Sequence, residues 1–183
     1  MQKHKVMMAF FIASEAFFFI GLIITYVYFN HLAQHNSMAA HYLDIRKTGI
    51  FTLALILSSV TMHIAGLNLE KGNRKIGWLI FTIILGIIFL IGQGAEYSRL
   101  YNVNITISQN LFGSSFFTLT GFHGLHVLIG LIVLMIMSRL IYSGKYQKIE
   151  AHAFKNATMY WHFVDGVWIA VFSVVYIWTM AAA

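Results

Sequence analysis

Long apolar stretches alternate with short polar ones along the 183 residues. A membrane-spanning helix needs about 20 mostly apolar residues. Five stretches meet that length: Met7 to Phe29, Thr48 to Leu69, Ile76 to Tyr97, Leu111 to Arg139 and Ala157 to Thr179. The pattern predicts an all-α membrane protein, a single bundle of five transmembrane helices in one domain, 1–183. The segments between the helices are short and polar, and there is no internal repeat or low-complexity run. The longest, Asn30 to Lys47, carries His31, His35 and His41 and reads as an ordinary polar loop.

Composition supports the bilayer as solvent. Hydrophobic residues make up 59% and charged residues only 10%, with a mean hydropathy of +0.74, too little charge to cover a soluble domain. With no Cys, disulfides, thiolate metal sites and thiol catalysis are excluded. The first apolar run is too long for a cleaved signal peptide. A net charge of +6 would suggest nucleic acid for a soluble chain; in a membrane protein it marks cytoplasmic loops, and no nucleic-acid partner is expected. Lys3, Lys5, Lys71, Arg74, Lys75, Arg139, Lys145, Lys148 and Lys155 fall on one side of the five-helix topology, Arg46, Lys47 and Arg99 on the other. That excess predicts a cytoplasmic N-terminus and an outside C-terminus.

Charge within the apolar stretches needs a reason, because burial costs roughly 2.5–3.5 kcal/mol even on a lenient insertion scale. Three of the six acidic residues, Glu15, Glu96 and Asp165, lie there. Glu96 is near a helix end and can reach the interface. Glu15 and Asp165 each sit about eight residues, roughly 12 Å, from the predicted cytoplasmic end of their helices. His162 and Asp165 are three apart and share a helix face, as do His123 and His126; His63 lies in the inner half of the second helix. Polar groups from four helices are therefore expected to meet inside the bundle. The plainer reading is that they join helices by hydrogen bonds; the functional reading is proton handling by Glu15 or Asp165. A di-metal carboxylate bundle wants about four carboxylates in Glu-x-x-His pairs, which are missing, so no metal is expected. Tyr160, Trp161 and Trp178 read as interfacial aromatics. Gly121 and Gly124, and Gly166 with Ala170, read as points of close helix approach. No phosphate loop, nucleotide fingerprint or nucleophile triad is present.

Four segments carry a resemblance. Helix one reads FFIASEAFFFIG, helix three ends GQGAEY, helix four contains FGSSFFTLTGFHGLHVLIG, and helix five reads YWHFVDGVWIAVFSVVYIW. In order and over most of the chain, they resemble subunit III of the heme–copper respiratory oxidases. The matching positions are Glu15; Gln93, Glu96 and Tyr97; Gly121, His123, Gly124, His126 and Gly130; and Trp161, His162, Asp165 and Trp168.

The resemblance implies an accessory subunit of a proton-pumping terminal oxidase that reduces oxygen to water. It implies no heme or copper in this chain, both being carried by partner subunits. It also implies packing chiefly against subunit I, contact with subunit II and other small subunits, bound phospholipid, and support of proton uptake and long-term activity. The expected location is the bacterial inner membrane. Proton-uptake or lipid-contact candidates are Glu15, His63, His123, His126, His162, Asp165 and Glu96, with Glu15 first; Gly121, Gly124, Trp161 and Trp168 are packing positions. The chain resembles the short form, matching the last five of seven helices in longer members, so a lipid cleft of the long form lacks one wall here. Lys155 stands where long members carry an acidic residue, and VDGVW replaces VDVVW at Gly166. The short form and the FSVVYIW tail lean towards quinol-oxidase relatives. The rivals are a related accessory subunit of a nitric oxide reductase, an independent membrane proton carrier or transporter, and a heme enzyme using the histidine pairs.

Overall fold

The computed structural model describes residues 3–33, 43–72, 76–108, 111–143 and 148–178. Five helices run through them: α1, Lys3–Ala33; α2, Ile45–Glu70; α3, Gly77–Asn102; α4, Leu111–Tyr142; and α5, Lys148–Phe172, whose last turn continues as a π-helical segment, Ser173–Trp178. All five are long and apolar enough to cross a membrane. Each except α3 starts earlier than, or level with, its apolar stretch, and α1 to α4 all run further at the other end. α5 begins nine residues before the apolar run does. Hydropathy marks where side chains turn apolar, whereas backbone hydrogen bonding carries a helix on into the polar interface.

The helix ends have identifiable causes. Asp44 caps α2, its Oδ1 accepting the Lys47 backbone N–H at 3.1 Å. α2 stops at Gly72, with φ +74°, a conformation glycine adopts at little cost. α3 stops at Asn104, with φ 59°. There the Ile105 N–H bonds the Leu100 carbonyl at 3.0 Å and the Asn104 N–H bonds the Tyr101 carbonyl at 3.1 Å, a Schellman closure with Leu100 and Ile105 both buried.

The helices pack in a ring, α1 to α4 to α3 to α2 to α5 and back to α1, with α4 also touching α5. At its centre Trp161 is fully buried. Its ring lies over Gly86 of α3 and Gly130 of α4, where an added Cβ would come within 2.9 Å of it, and its Nε1 donates to Ser58 Oγ on α2 at 3.1 Å. One residue therefore ties α5 to three other helices. Two turns further on, Trp168 is buried beside Phe89, ring centroids 4.7 Å apart, and its Nε1 donates to Thr52 Oγ1 at 2.9 Å. Thr61 and Thr82 join α2 to α3 at 2.8 Å. The outer face carries exposed Phe, Ile and Leu side chains along every helix, as expected of a bundle facing lipid or partner helices.

Two packing expectations are corrected. Trp161 and Tyr160 are buried in the bundle rather than forming an interfacial belt; an indole whose N–H finds a hydroxyl can sit in the core. Gly166 and Ala170 are exposed, and nothing lies within 4 Å of a Cβ added at Gly166. The close approaches fall at Gly124, as expected, and at Gly86, Gly130 and Gly92, the last lying under the Phe51 ring. Gly124 abuts the Gln93 amide, while Gly121 has only ordinary contact with the Tyr97 hydroxyl.

Candidate functional site

The sequence-predicted polar residues fall into three places rather than one centre. The first lies between α1 and α4. Glu15 Oε2 is 3.0 Å from His126 Nε2, with the carboxylate side chain 24% and the imidazole 12% exposed. The other ring nitrogen, Nδ1, is 2.7 Å from the Phe122 carbonyl. A carbonyl only accepts, so Nδ1 carries a hydrogen, and this fixes the chemistry of Nε2. Either a protonated Glu15 donates to Nε2 of a neutral imidazole, or Nε2 of an imidazolium donates to a carboxylate. Both states hold one proton between the two groups and no net charge. Gain or loss of that proton would leave a net charge in an apolar setting, which is costly. Phe19 stands edge-on to His126 at 4.9 Å between ring centroids, and the Tyr160 hydroxyl donates to the His126 carbonyl at 3.1 Å, so α5 also braces this turn of α4.

The second place lies between α2 and α5. His162 Nδ1 is 2.6 Å from Ser59 Oγ. Asp165, one turn further along α5, is 5% exposed; the Ser59 hydroxyl also approaches it, but neither carboxyl oxygen makes a hydrogen bond of normal geometry. His63 is exposed on the outer face of α2, its ring centroid 6.5 Å from that of His162. His123 is fully buried, stacked on Trp168 at 4.7 Å and 28° and edge-on to Phe89 at 5.8 Å, with both ring nitrogens unpartnered. His123 and His126 thus share a helix face and the Phe19 ring, but only His126 meets a carboxylate. Among the described residues no group of three or more His, Asp or Glu is placed to hold a metal ion.

The third place is at the end of the bundle where α2 starts and α3 finishes. Glu96 is buried; its Oε1 accepts from Arg99 at 2.5 Å and from the Asp44 backbone N–H at 3.4 Å. Asp44 pairs with Lys47 at 3.4 Å and Arg99 at 3.8 Å. The Lys47 backbone N–H, together with the Lys47 and Arg99 charges, holds the Asp44 carboxyl below its ordinary value of 3.8, against a smaller opposing effect of burial. Beside Glu96 a small polar knot joins α3 to α4. Gln93 Nε2 donates to the Tyr97 hydroxyl at 2.9 Å and to the Thr120 carbonyl at 2.5 Å, and the Tyr97 and Thr120 hydroxyls meet at 2.8 Å.

Sequence reasoning passed over Ser59 and Asp44, and gave Tyr160 and Arg99 other roles, an interfacial aromatic and a loop charge. Asp44 was findable as an acidic residue three before Lys47 at a helix start, and Ser59 as one of paired hydroxyls in an apolar run. Nothing in the sequence says that Tyr160 points at His126. Lys155 pairs with Glu70 at 2.7 Å, so the cation at this departure from the long-form pattern has a local partner. His31 ends α1 on the surface; His35, His41, Arg74, Lys75 and Lys145 lie outside the described residues.

Comparison with known proteins gives this arrangement a context. The family model of cytochrome c oxidase subunit III matches residues 1–180. Cytochrome c oxidase subunit 3 of Corynebacterium diphtheriae is 36% identical over 173 residues, 91% of this chain and 83% of the relative. A probable cytochrome c oxidase subunit 3 of Mycobacterium leprae is 36% identical over 169 residues, 90% of this chain and 83% of its own. The Synechocystis protein of the same name is 36% identical over 172 residues, covering 91% of this chain and 72% of the relative. The match spans all five helices, and the chain belongs to the cytochrome c oxidase subunit III family.

Proposed function

We propose that this chain serves a proton-pumping heme–copper oxidase as a subunit that carries no redox centre of its own, packs chiefly against subunit I, also meets subunit II, and lies in a bacterial cytoplasmic membrane with its N-terminus inside. Heme and copper belong to the partners in this reading. The observation that carries it is the family match along residues 1–180. The names of the curated relatives favour cytochrome c as the electron donor over quinol, and oxygen over nitric oxide as the substrate. The asymmetry of basic residues supports the orientation. The Glu15–His126 pair is its proton-bearing element. It is a one-proton unit on α1, the helix with the least burial inside the chain, and it would steady proton uptake in subunit I or meet lipid beside it.

The test is a mild-detergent purification through an N-terminal tag, followed by a heme spectrum and oxygen consumption with cytochrome c and with a quinol. Co-purified heme and cytochrome c-driven oxygen uptake is the expected result. Nitric oxide reduction would move the chain to the reductase accessory role, and a colourless chain without partners would overturn the reading. Carbodiimide reaction in the intact complex then probes Glu15: a protonated, accessible carboxyl is modified there, and absence of modification removes its proposed role.

A further inference from the structure

A groove runs down the outer face of the bundle between α2 and α5. It is shallow and open to the surroundings, with a volume of about 770 Å³. Ile45, Gly49, Leu53 and Ile56 form its α2 wall, spaced four, four and three so that they lie in one stripe. Ile169 and Phe172 lead its α5 wall, which continues along the π-helical segment. Gly49 leaves open space, with nothing within 4 Å of a Cβ added there. The only charged residue lining the groove is Arg46, at the end where α2 begins.

Among the described residues Arg46 has no carboxylate partner, and the other cations in that position, Lys71 and Arg139, stand at the opposite end of the bundle. The sequence has six carboxylates. Glu15 faces His126, Asp44 takes Lys47 and Arg99, Glu96 takes Arg99, Glu70 takes Lys155, and Asp165 is buried between α2 and α5. Glu150 lies in the first turn of α5, and the Lys155–Glu70 pair fixes that end beside the finish of α2, a whole helix away from Arg46. Arg46 is exposed and pairs with no carboxylate among the described residues. The groove is also the wrong length for a partner helix. From Ile45 to Ile56 it covers eleven residues, about 17 Å. That is about half of the roughly 30 Å hydrocarbon core, the depth of one leaflet. A transmembrane helix seated there would want a seam running through both.

We propose that the α2–α5 groove binds an anionic phospholipid, its phosphate on Arg46 and one acyl chain laid along Gly49, Leu53 and Ile56. A guanidinium presents paired donors to phosphate oxygens, and the apolar stripe accepts the chain. The assignment rests on the membrane-spanning reading and not on the identity of the oxidase. It is separate from the Glu15–His126 pair, which lies between α1 and α4.

The test uses the purified complex in vesicles of phosphatidylcholine doped with phosphatidylglycerol bearing a photoactivatable acyl chain, with cross-linked peptides of this subunit mapped by mass spectrometry. Labelling should concentrate on residues 49–56 and 169–177. It should fall about fivefold to tenfold in Arg46→Glu, given the strength of a single basic side chain for anionic lipid, and stay unchanged when the same photoactivatable chain is carried on phosphatidylcholine. Gly49→Leu, which fills the groove, should lower labelling from both lipids, while Arg139→Glu at the other end of the bundle should leave it as in the parent. Labelling of the groove no stronger than of other apolar faces, or indifferent to Arg46→Glu, overturns the proposal. So does a groove silent to lipid together with cross-links from another subunit, which would assign it to a partner helix. Labelling is read on this chain whether or not heme co-purifies, so its failure is distinct from failure of the oxidase reading.

Discussion

The seam around Trp161 and the attachment of α1 hold the bundle together by different means. At the seam a fully buried indole lies over two glycines and bonds a third helix, and 39% of the most apolar window of α5 is buried inside the chain. In the corresponding window of α1 only 6% is buried. α1 is anchored at separated points: Phe19 and Tyr26 are buried, and Glu15 reaches His126. In lipid, apolar contact alone gives little drive for helices to associate, because hydrocarbon tails satisfy an exposed Leu as well as a neighbouring helix does. Close packing at small residues therefore fixes the seam, whereas a peripheral helix depends more on its polar contact. The two regions should fail differently when altered.

The largest effect is expected at the seam. Gly130→Val places a side chain where the Trp161 ring lies 2.9 Å from the new Cβ. The ring also abuts Gly86 and is bonded to Ser58, so it has little room to move. Overpacking of this kind costs about 1–3 kcal/mol, to be read as a lowered unfolding midpoint in detergent. Gly166→Leu is the control on the same bundle. Its site is open, and exchanging glycine for a better helix former should leave stability unchanged or raised by up to about 1 kcal/mol. Equal losses at both positions would mean that the helices are sensitive to any added bulk and that the seam is not special.

A smaller effect separates α1 from the rest. Glu15→Leu leaves His126 Nε2 without its partner and should cost about 1–2 kcal/mol, whereas Glu15→Gln can still donate to that nitrogen and should lose less than half as much. In a double-mutant cycle with His126→Leu, the coupling should fall at about 0.6–1.7 kcal/mol, the range found for hydrogen bonds between membrane helices. Protease sensitivity of the first 33 residues should rise in Glu15→Leu and stay unchanged in Gly130→Val. Additive single and double variants would show that α1 is held by Phe19 and Tyr26 instead.

What the sequence revealed and what it hid follow the same division. Five apolar runs told the number of helices, because hydropathy responds to length and composition alone. The His123/His126 and His162/Asp165 spacings told which residues share a face. Spacing along one helix carries no information on which other helix it meets. His126 finds Glu15 on α1, and His123 only rings on α1, α3 and α5; nothing in HGLH separates the two. Trp161 was misplaced for a related reason. An aromatic near the end of an apolar run looks interfacial until Gly86 and Gly130, 75 and 31 residues earlier in the chain, are seen to clear space for it. Gly166 drew attention because it breaks a familiar pattern, yet it faces outward.

The smallest effect lies where α2 meets α3, at the junction that the Asp44–Arg99–Glu96 group ties together. The Asp44 carboxyl caps α2 and is held below its ordinary value of 3.8. A carboxyl depressed on folding adds stability that is fully present above its unfolded value and disappears as pH falls through the lower folded value. Protection of the Lys47 amide against hydrogen exchange should therefore be constant from neutral pH down to about 4 and decline below it. Asp44→Asn keeps a capping oxygen but removes the charge, so it should retain most of the protection and lose the acid-dependent decline. Asp44→Ala should cost about 1 kcal/mol at neutral pH, confined to the first turn of α2 and its contact with Arg99. Exchange in α1 should be indifferent to all three conditions. An acid-dependent loosening of α1 in the same pH range would instead show that the effect of Asp44 reaches beyond the α2–α3 junction, and would tie the two regions of the comparison together.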